Sequence, residues 1–183
     1  MTTFYTRKGD GGRSKIRSKN LLKDNILFQL LGELDELNSW LGLCKVGAGK
    51  NRATKEVVAT LTDIQQDLFT IQAEVAVIGG GFRSKVKIGA ERIKSAEKAI
   101  NTINSKLPAI TKFVVPGGSE LSARIDVARA MARRVERIAV IFSRKNELRP
   151  ELLKYLNCLS SLLFALARLA NRKLKIKEEN PKY

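Results

Sequence analysis

Apolar residues recur with helical spacing five times along this chain, with short breaks between, and few folds accept such a pattern. Leu27, Leu30, Leu31, Leu34, Leu37 and Leu41 form the first stripe, which begins at Asn25 and ends at Gly47 and Gly49. The second runs from about Lys55 to Val77, with Val58, Leu61, Ile64, Leu68 and Ile71 on one face, and Gly79–Gly81 follows as a hinge. The third, about Ala90 to Lys106, carries Ile93, Ala96, Ile100 and Ile103, with Pro108 just past it. The fourth begins near Ser119, with Ser119 or Ser122 as the cap, and aligns Leu121, Ile125, Ala128, Ala132, Val135, Ala139 and Phe142. Pro150 suits the first turn of the fifth, which aligns Leu152, Leu156, Leu159, Leu163, Leu166 and Ala170. Long helices with short connections predict an all-α, five-helix up-down bundle forming a single domain. The bundle occupies residues 25–172. Residues 1–24 lack sustained periodicity and are expected to form an ordered or ligand-ordered N-terminal segment, and residues 173–183 form a charged tail, expected to fray.

The chemistry is narrowed by what the chain lacks. It has 183 residues and no histidine, which removes histidine general bases, Ser-His-Asp triads and His-ligated metals. Its two cysteines, Cys44 and Cys158, lie in different helical patterns, too few for a disulfide framework or a structural zinc site. A reducing, cytoplasmic compartment is therefore expected. Met1–Gly12 is polar and charged, so no secretory signal is expected. The longest apolar run, Leu159–Ala170, is broken by Ser160, Ser161 and Arg168 and is too short to span a bilayer, so no membrane role is expected. An enzyme built this way runs a reaction that needs little proton transfer, or leaves the chemistry to a cofactor. The net charge of +16, from 34 Lys+Arg against 18 Asp+Glu, attracts polyanions or phosphorylated ligands.

Four groups of residues stand out as candidate sites. In the fourth helix, Arg129, Arg133 and Glu136 share a stripe, because about 100° per residue places Arg133 roughly 40° from Arg129 and Glu136 roughly 20° to the other side. Two neighbouring guanidinium groups call for an anion between them, and phosphate matches the arginine fork. A solvated basic face including Arg134 and Arg137 is the equal alternative, with Glu136 pairing locally to Arg133. The N-terminal run YTRKGDGGRSKI offers glycines, hydroxyls and cations for wrapping phosphates, or is simply a basic, flexible terminus. Asp35, in GELDELNSWLG, is either a solvated edge residue or half of an ion pair to another helix or subunit. On the fifth helix Asn157, Ser161, Phe164 and Arg168 form a seam, for interhelical hydrogen bonds or for a ligand amide contact from Asn157.

These pieces occur in the order found in one family. YTRKGDGGRS resembles the T-K-x-G-D-x-G-x-T segment of the PduO-type ATP:cob(I)alamin adenosyltransferases, also called corrinoid adenosyltransferases. GELDELNSWLG resembles their G-x-x-D-E-L-N-S-x-x-G signature, FVVPGG with ARAMARRVER their F-x-x-P-G-G and A-R-x-x-x-R-R-x-E-R signatures, and YLNCLS their x-x-N-R-L-S-D segment. The resemblance implies transfer of the 5′-deoxyadenosyl group of ATP, taken with Mg²⁺, to cob(I)alamin, with release of triphosphate. It implies a homotrimer with ATP bound between neighbours. A flavoprotein reductase and a cobalamin-dependent enzyme are further implied partners.

Carried over by position, the resemblance gives the N-terminal segment's Thr6, Arg7, Lys8, Gly9, Ser14, Lys15 and Lys23 to the ATP phosphates. Arg133, Arg134, Glu136, Arg137 and Asn157 complete the nucleotide site, with Arg133 and Glu136 in catalytic roles. Arg129 pairs with Asp35 of a neighbouring subunit. Phe113 sits against the corrin and keeps the lower cobalt face free of a ligand. No resident protein metal is implied. Three departures from the family pattern are visible: Arg7 for lysine, Asp126 for a common histidine, and Cys158 and Ser161 for the arginine and aspartate near the asparagine. Two other readings remain open. A helical polyanion-binding module would use the +16 charge, although one Trp and three Tyr provide few stacking platforms for nucleic acid. A relative that binds and delivers adenosylcobalamin without turnover would keep the same motifs.

Overall fold

The computed structural model of the chain describes Tyr5 and residues 7–182. Five helices, α1 Ile26–Gly49, α2 Lys55–Gly79, α3 Ala90–Asn104, α4 Glu120–Ser143 and α5 Pro150–Lys173, alternate in direction along the chain. They match the five apolar stripes. The side-chain oxygen of Asn25 starts α1 by accepting from the Leu27 N–H at 3.0 Å. Ser119 and Ser122 cap α4 together: each hydroxyl accepts the other's backbone N–H, both at 3.1 Å. Pro150 occupies the first turn of α5.

α1 packs between α2 and α4, α4 packs on α5, and α3 covers the outer side of α5. All seven α4 positions of the apolar stripe are buried, as are all six of α5. Fully burying one such leucine contributes roughly 1.5–3 kcal/mol, so these stripes set the helix arrangement. Among the described residues α5 is the one helix long and apolar enough to cross a bilayer, and its apolar side chains fill the bundle core.

Polar joints fix the registers. On the α1–α4 seam, the Trp40 indole N–H donates to the Arg124 carbonyl at 2.7 Å, and Arg134 reaches Glu33 at 2.5 Å and Glu36 at 2.6 Å. Between α2, α3 and α5, the buried Asp67 carboxylate accepts from Tyr155 Oη at 2.7 Å and from Arg92 at 2.6 and 2.9 Å. Burial, followed by the charge and hydrogen bond of Asp67, holds the Tyr155 phenol well above its usual pKa. Replacing Asp67 by alanine strands a buried hydroxyl and a partly exposed guanidinium. Asp67→Ala is expected to lower stability by about 2–4 kcal/mol, read as a shifted denaturation midpoint, while Tyr155→Phe costs only about 1 kcal/mol.

Two segments carry structure that the helical periodicity does not mark. Strands β1 Arg13–Ile16 and β2 Lys19–Leu22 form an antiparallel hairpin, with Arg13 opposite Leu22 and Ile16 opposite Lys19. It docks on the end of α2: Lys19 Nζ donates to the Gly79 carbonyl at 3.1 Å, and the Arg17 guanidinium lies 5.6 Å from the Phe82 ring centre. The C-terminal tail, expected to fray, instead turns back on the bundle. The Ile176 N–H bonds to the Asn171 carbonyl at 2.9 Å and the Lys175 N–H to the Arg172 carbonyl at 3.2 Å, a Schellman stop with Lys175 in the left-handed region at φ 58°.

Candidate active site

The α3–α4 connection is bolted to α5 at the Pro116–Gly117–Gly118 turn. Gly117 and Gly118 have φ of 118° and 95°, a region side chains rarely adopt. Asn171 of α5 clasps the turn, accepting from the Ser119 N–H at 3.0 Å and donating to the Gly117 carbonyl at 2.9 Å. A β-carbon on Gly118 would fall 2.9 Å from the Asn171 amide nitrogen, so the fit needs glycine. Asp126, one turn into α4, joins this turn to the arginine stripe: its carboxylate faces the Gly117 N–H at 3.4 Å and holds Arg129 Nε at 3.0 Å.

The tail completes the support. Arg168, only 5% exposed, forms two bonds of 2.8 Å with Glu178 and donates to the Pro108 carbonyl at 3.1 Å. The Val115 N–H donates to the Glu179 carbonyl at 2.8 Å, and the Asn180 amide donates to the Phe113 carbonyl at 2.7 Å. The residues around Phe113 are thus held between the turn and the tail.

These elements line an open cavity of about 850 Å³. Phe113 and Val114 line it from the connection, Arg129 and Arg133 from α4, Ser161 and Phe164 from α5, and Pro181 from the tail. Phe113 is 77% exposed, a large aromatic ring left largely uncovered by the described residues. The cavity therefore combines apolar surface, from Phe113, Val114 and Phe164, with two guanidinium groups. Planar apolar surface and anion are its two complementary ligand features.

Of the residues singled out in the sequence, Phe113, Arg129, Arg133, Ser161 and Phe164 meet in this cavity. Glu136 and Arg137 continue along α4 beyond it, half-buried and exposed respectively. Arg134 is turned toward α1, where the hydrogen bond to Glu33 raises its pKa above the ordinary value. Asn157 is exposed on α5, one turn before Ser161, and Asp35 is exposed on α1. Arg7, Lys8, Lys15 and Lys23 are exposed while Gly9 and Ser14 are half-buried; none of these six lines the cavity. Lys23 closes over Gly9, where an added β-carbon would meet its ammonium at 3.0 Å. Thr6 lies outside the described residues. The Asn171 clasp and the Arg168–Glu178 pair were not anticipated. A charge inside the apolar run Leu159–Ala170 was the available signal for the second, because a buried arginine needs a partner.

Comparison with known proteins shows the family of the chain. Residues 4–170 match the cobalamin adenosyltransferase family. The chain belongs to this family. A corrinoid adenosyltransferase of Bacillus subtilis is 32% identical over 168 residues, covering 92% of this chain and 86% of that protein. One from Citrobacter freundii is 36% identical over 171 residues, covering 92% and 95%. Among solved structures, a variant PduO-type ATP:corrinoid adenosyltransferase from Lactobacillus reuteri, complexed with cobalamin and ATP, superposes with a TM-score of 0.92. It is 31% identical, and the match covers 99% of this chain and 100% of that one.

Proposed function

We infer that this chain transfers the 5′-deoxyadenosyl group of ATP to cob(I)alamin, forming adenosylcobalamin and releasing triphosphate. The observation that carries this is the cavity of about 850 Å³ that an exposed Phe113 lines together with Arg129 and Arg133. The family match and the ATP and cobalamin complex of the Lactobacillus reuteri relative support both substrates.

The reaction asks little of acid–base groups. The cobalt(I) electron pair attacks C5′ of ATP, the cobalt–carbon bond forms, the C5′–oxygen bond breaks, and triphosphate leaves with that bond's electrons. No proton moves in this step, so a chain without histidine is not handicapped. The protein's tasks are to position the two substrates and to stabilise the leaving charge. Phe113 stands against the lower corrin face and keeps that side of the cobalt without a ligand, which makes the cobalt(II) precursor easier to reduce. Arg133 binds the triphosphate, with Glu136, Arg137 and Asn157 completing the nucleotide site. Arg134, fastened to Glu33 and Glu36, orients the α1–α4 seam beside it.

ATP, as its magnesium complex, lies between subunits of a homotrimer, and the N-terminal residues Thr6 to Lys23 of one subunit close over it. Uncovered apolar side chains on α1 and α4, Leu43, Val46, Val127, Val140 and Ile141, support such an interface. Asp35, exposed on α1, is available to a neighbour's Arg129. The protein works in the cytoplasm, supplied with reduced corrinoid by a flavoprotein reductase and passing its product to a cobalamin-dependent enzyme. The test is anaerobic incubation with ATP, Mg²⁺ and chemically reduced cobalamin. A light-sensitive cobalt–carbon product is expected; its absence under strict anaerobiosis overturns the reading.

A further inference from the structure

Beside the Phe113 cavity lies a second one of about 330 Å³. The two share Ile110, Thr111, Lys112 and Val114 as a common wall. The smaller cavity falls at the low end of the roughly 300–1,000 Å³ usual for small-molecule sites. Its charge is one-sided. Lys112, Arg168, Arg172 and Lys177 line it against one carboxylate, Glu178. That carboxylate is already committed to Arg168 through two bonds of 2.8 Å. Lys112, Arg172 and Lys177 are in no ion pair among the described residues. Three unbalanced cations around a concave site attract an anion.

Their gathering is a product of the fold. Arg172 comes from the last turn of α5, Lys112 from the connection, and Lys177 from the tail that the Schellman stop turns back. A frayed tail would leave Lys177 in solvent and the cavity without one wall.

We propose that this basic cavity receives the phosphodiester of the corrinoid's nucleotide tail while the ring occupies the neighbouring cavity against Phe113. The inference rests on the corrinoid reading of that first cavity. Cobalamin's lower-face base hangs from a nucleotide tail joined through an anionic phosphodiester. When an aromatic ring takes the lower face, base and tail must leave it. The shared 110–114 wall puts the basic cavity next to the place they leave, and lysine and arginine donors match the phosphodiester oxygens.

The test compares cob(I)alamin with cob(I)inamide, a corrinoid that lacks the nucleotide tail, in the unsubstituted protein and in an Arg172→Gln/Lys177→Gln double variant. Both side chains lie at the surface, and glutamine keeps much of their length without the charge. The KM for cobalamin is expected to rise roughly ten-fold, while the KM values for cobinamide and ATP stay unchanged. In the unsubstituted protein, added salt should erode the advantage of cobalamin over cobinamide. Equal changes for both corrinoids, or no change for either, overturn the subsite and leave the adenosyltransferase reading standing. A rise in the KM for ATP instead assigns these cations to the triphosphate and also overturns it. If the unsubstituted protein adenosylates neither corrinoid, the corrinoid reading itself fails, and the subsite with it.

Discussion

Arg133→Ala is expected to lose most of its ATP use while the bundle stays folded. Arg133 is exposed on α4 and lines the main cavity, and the core residues beside it, Ala132 and Val135, are untouched by truncating a side chain that points outward. The folded state therefore loses little. The reaction loses much, because charge builds on the triphosphate as the C5′–oxygen bond breaks. Removing one preorganised donor to developing charge typically costs roughly 10²–10³ in rate. The KM for ATP should rise as well, since the ground state also carries the phosphates. Arg133→Lys tests the geometry: it keeps the charge but loses the planar fork, so only partial recovery is expected. Unchanged ATP saturation in Arg133→Ala would refute the phosphate role.

Arg129→Ala is expected to act on assembly and turnover together. Within one chain Arg129 is held by Asp126, whose side chain is 11% exposed and also faces the Gly117 N–H. Deleting the guanidinium leaves that carboxylate nearly buried without its cation. Breaking a well-buried pair costs about 3–5 kcal/mol, and with Arg129 27% exposed about 1–3 kcal/mol is expected. The same deletion removes the partner proposed for Asp35 of a neighbouring subunit. The mass measured by light scattering should therefore shift from trimer toward smaller species on dilution, with corrinoid turnover falling alongside. A variant that remains fully trimeric and fully active contradicts the interface role.

The helices were legible because each turns an apolar stripe toward the core, fully buried on α4 and α5 and partly on α3, and a stripe is a local pattern. The arginine stripe was legible for the same reason: Arg129 and Arg133 are one turn apart, and the structure places both in one cavity. The hairpin was not, since RSKI and KNLL offer no apolar alternation and the Arg17 turn lacks the usual Asn-Gly signal. The ordered tail was hidden by its stop residue. Helix α2 ends with Gly81 in the left-handed region, which the sequence advertises as a hinge, whereas α5 ends with Lys175 in that region, which nothing in the sequence marks. The contacts that hold the tail, Arg168 to Glu178 and Asn180 to Phe113, join residues with no helical spacing, so periodicity is blind to them. Asp126 was visible as a departure from the family's histidine, but its tie to both Arg129 and Gly117 required the folded turn. Among the described residues, the N-terminal positions proposed for the nucleotide, from Arg7 to Lys23, do not line the cavity, which fits the proposal that a neighbouring subunit completes the site.

The central claim is that ATP and reduced corrinoid react with each other on this protein rather than merely binding to it. A single-turnover experiment under strict anaerobiosis, with cob(I)alamin limiting and ATP and Mg²⁺ in excess, measures this directly. Adenosylcobalamin and triphosphate are expected to appear at the same rate and in equal amounts. Tight binding of both substrates with neither product formed would contradict the claim, and would instead describe a carrier.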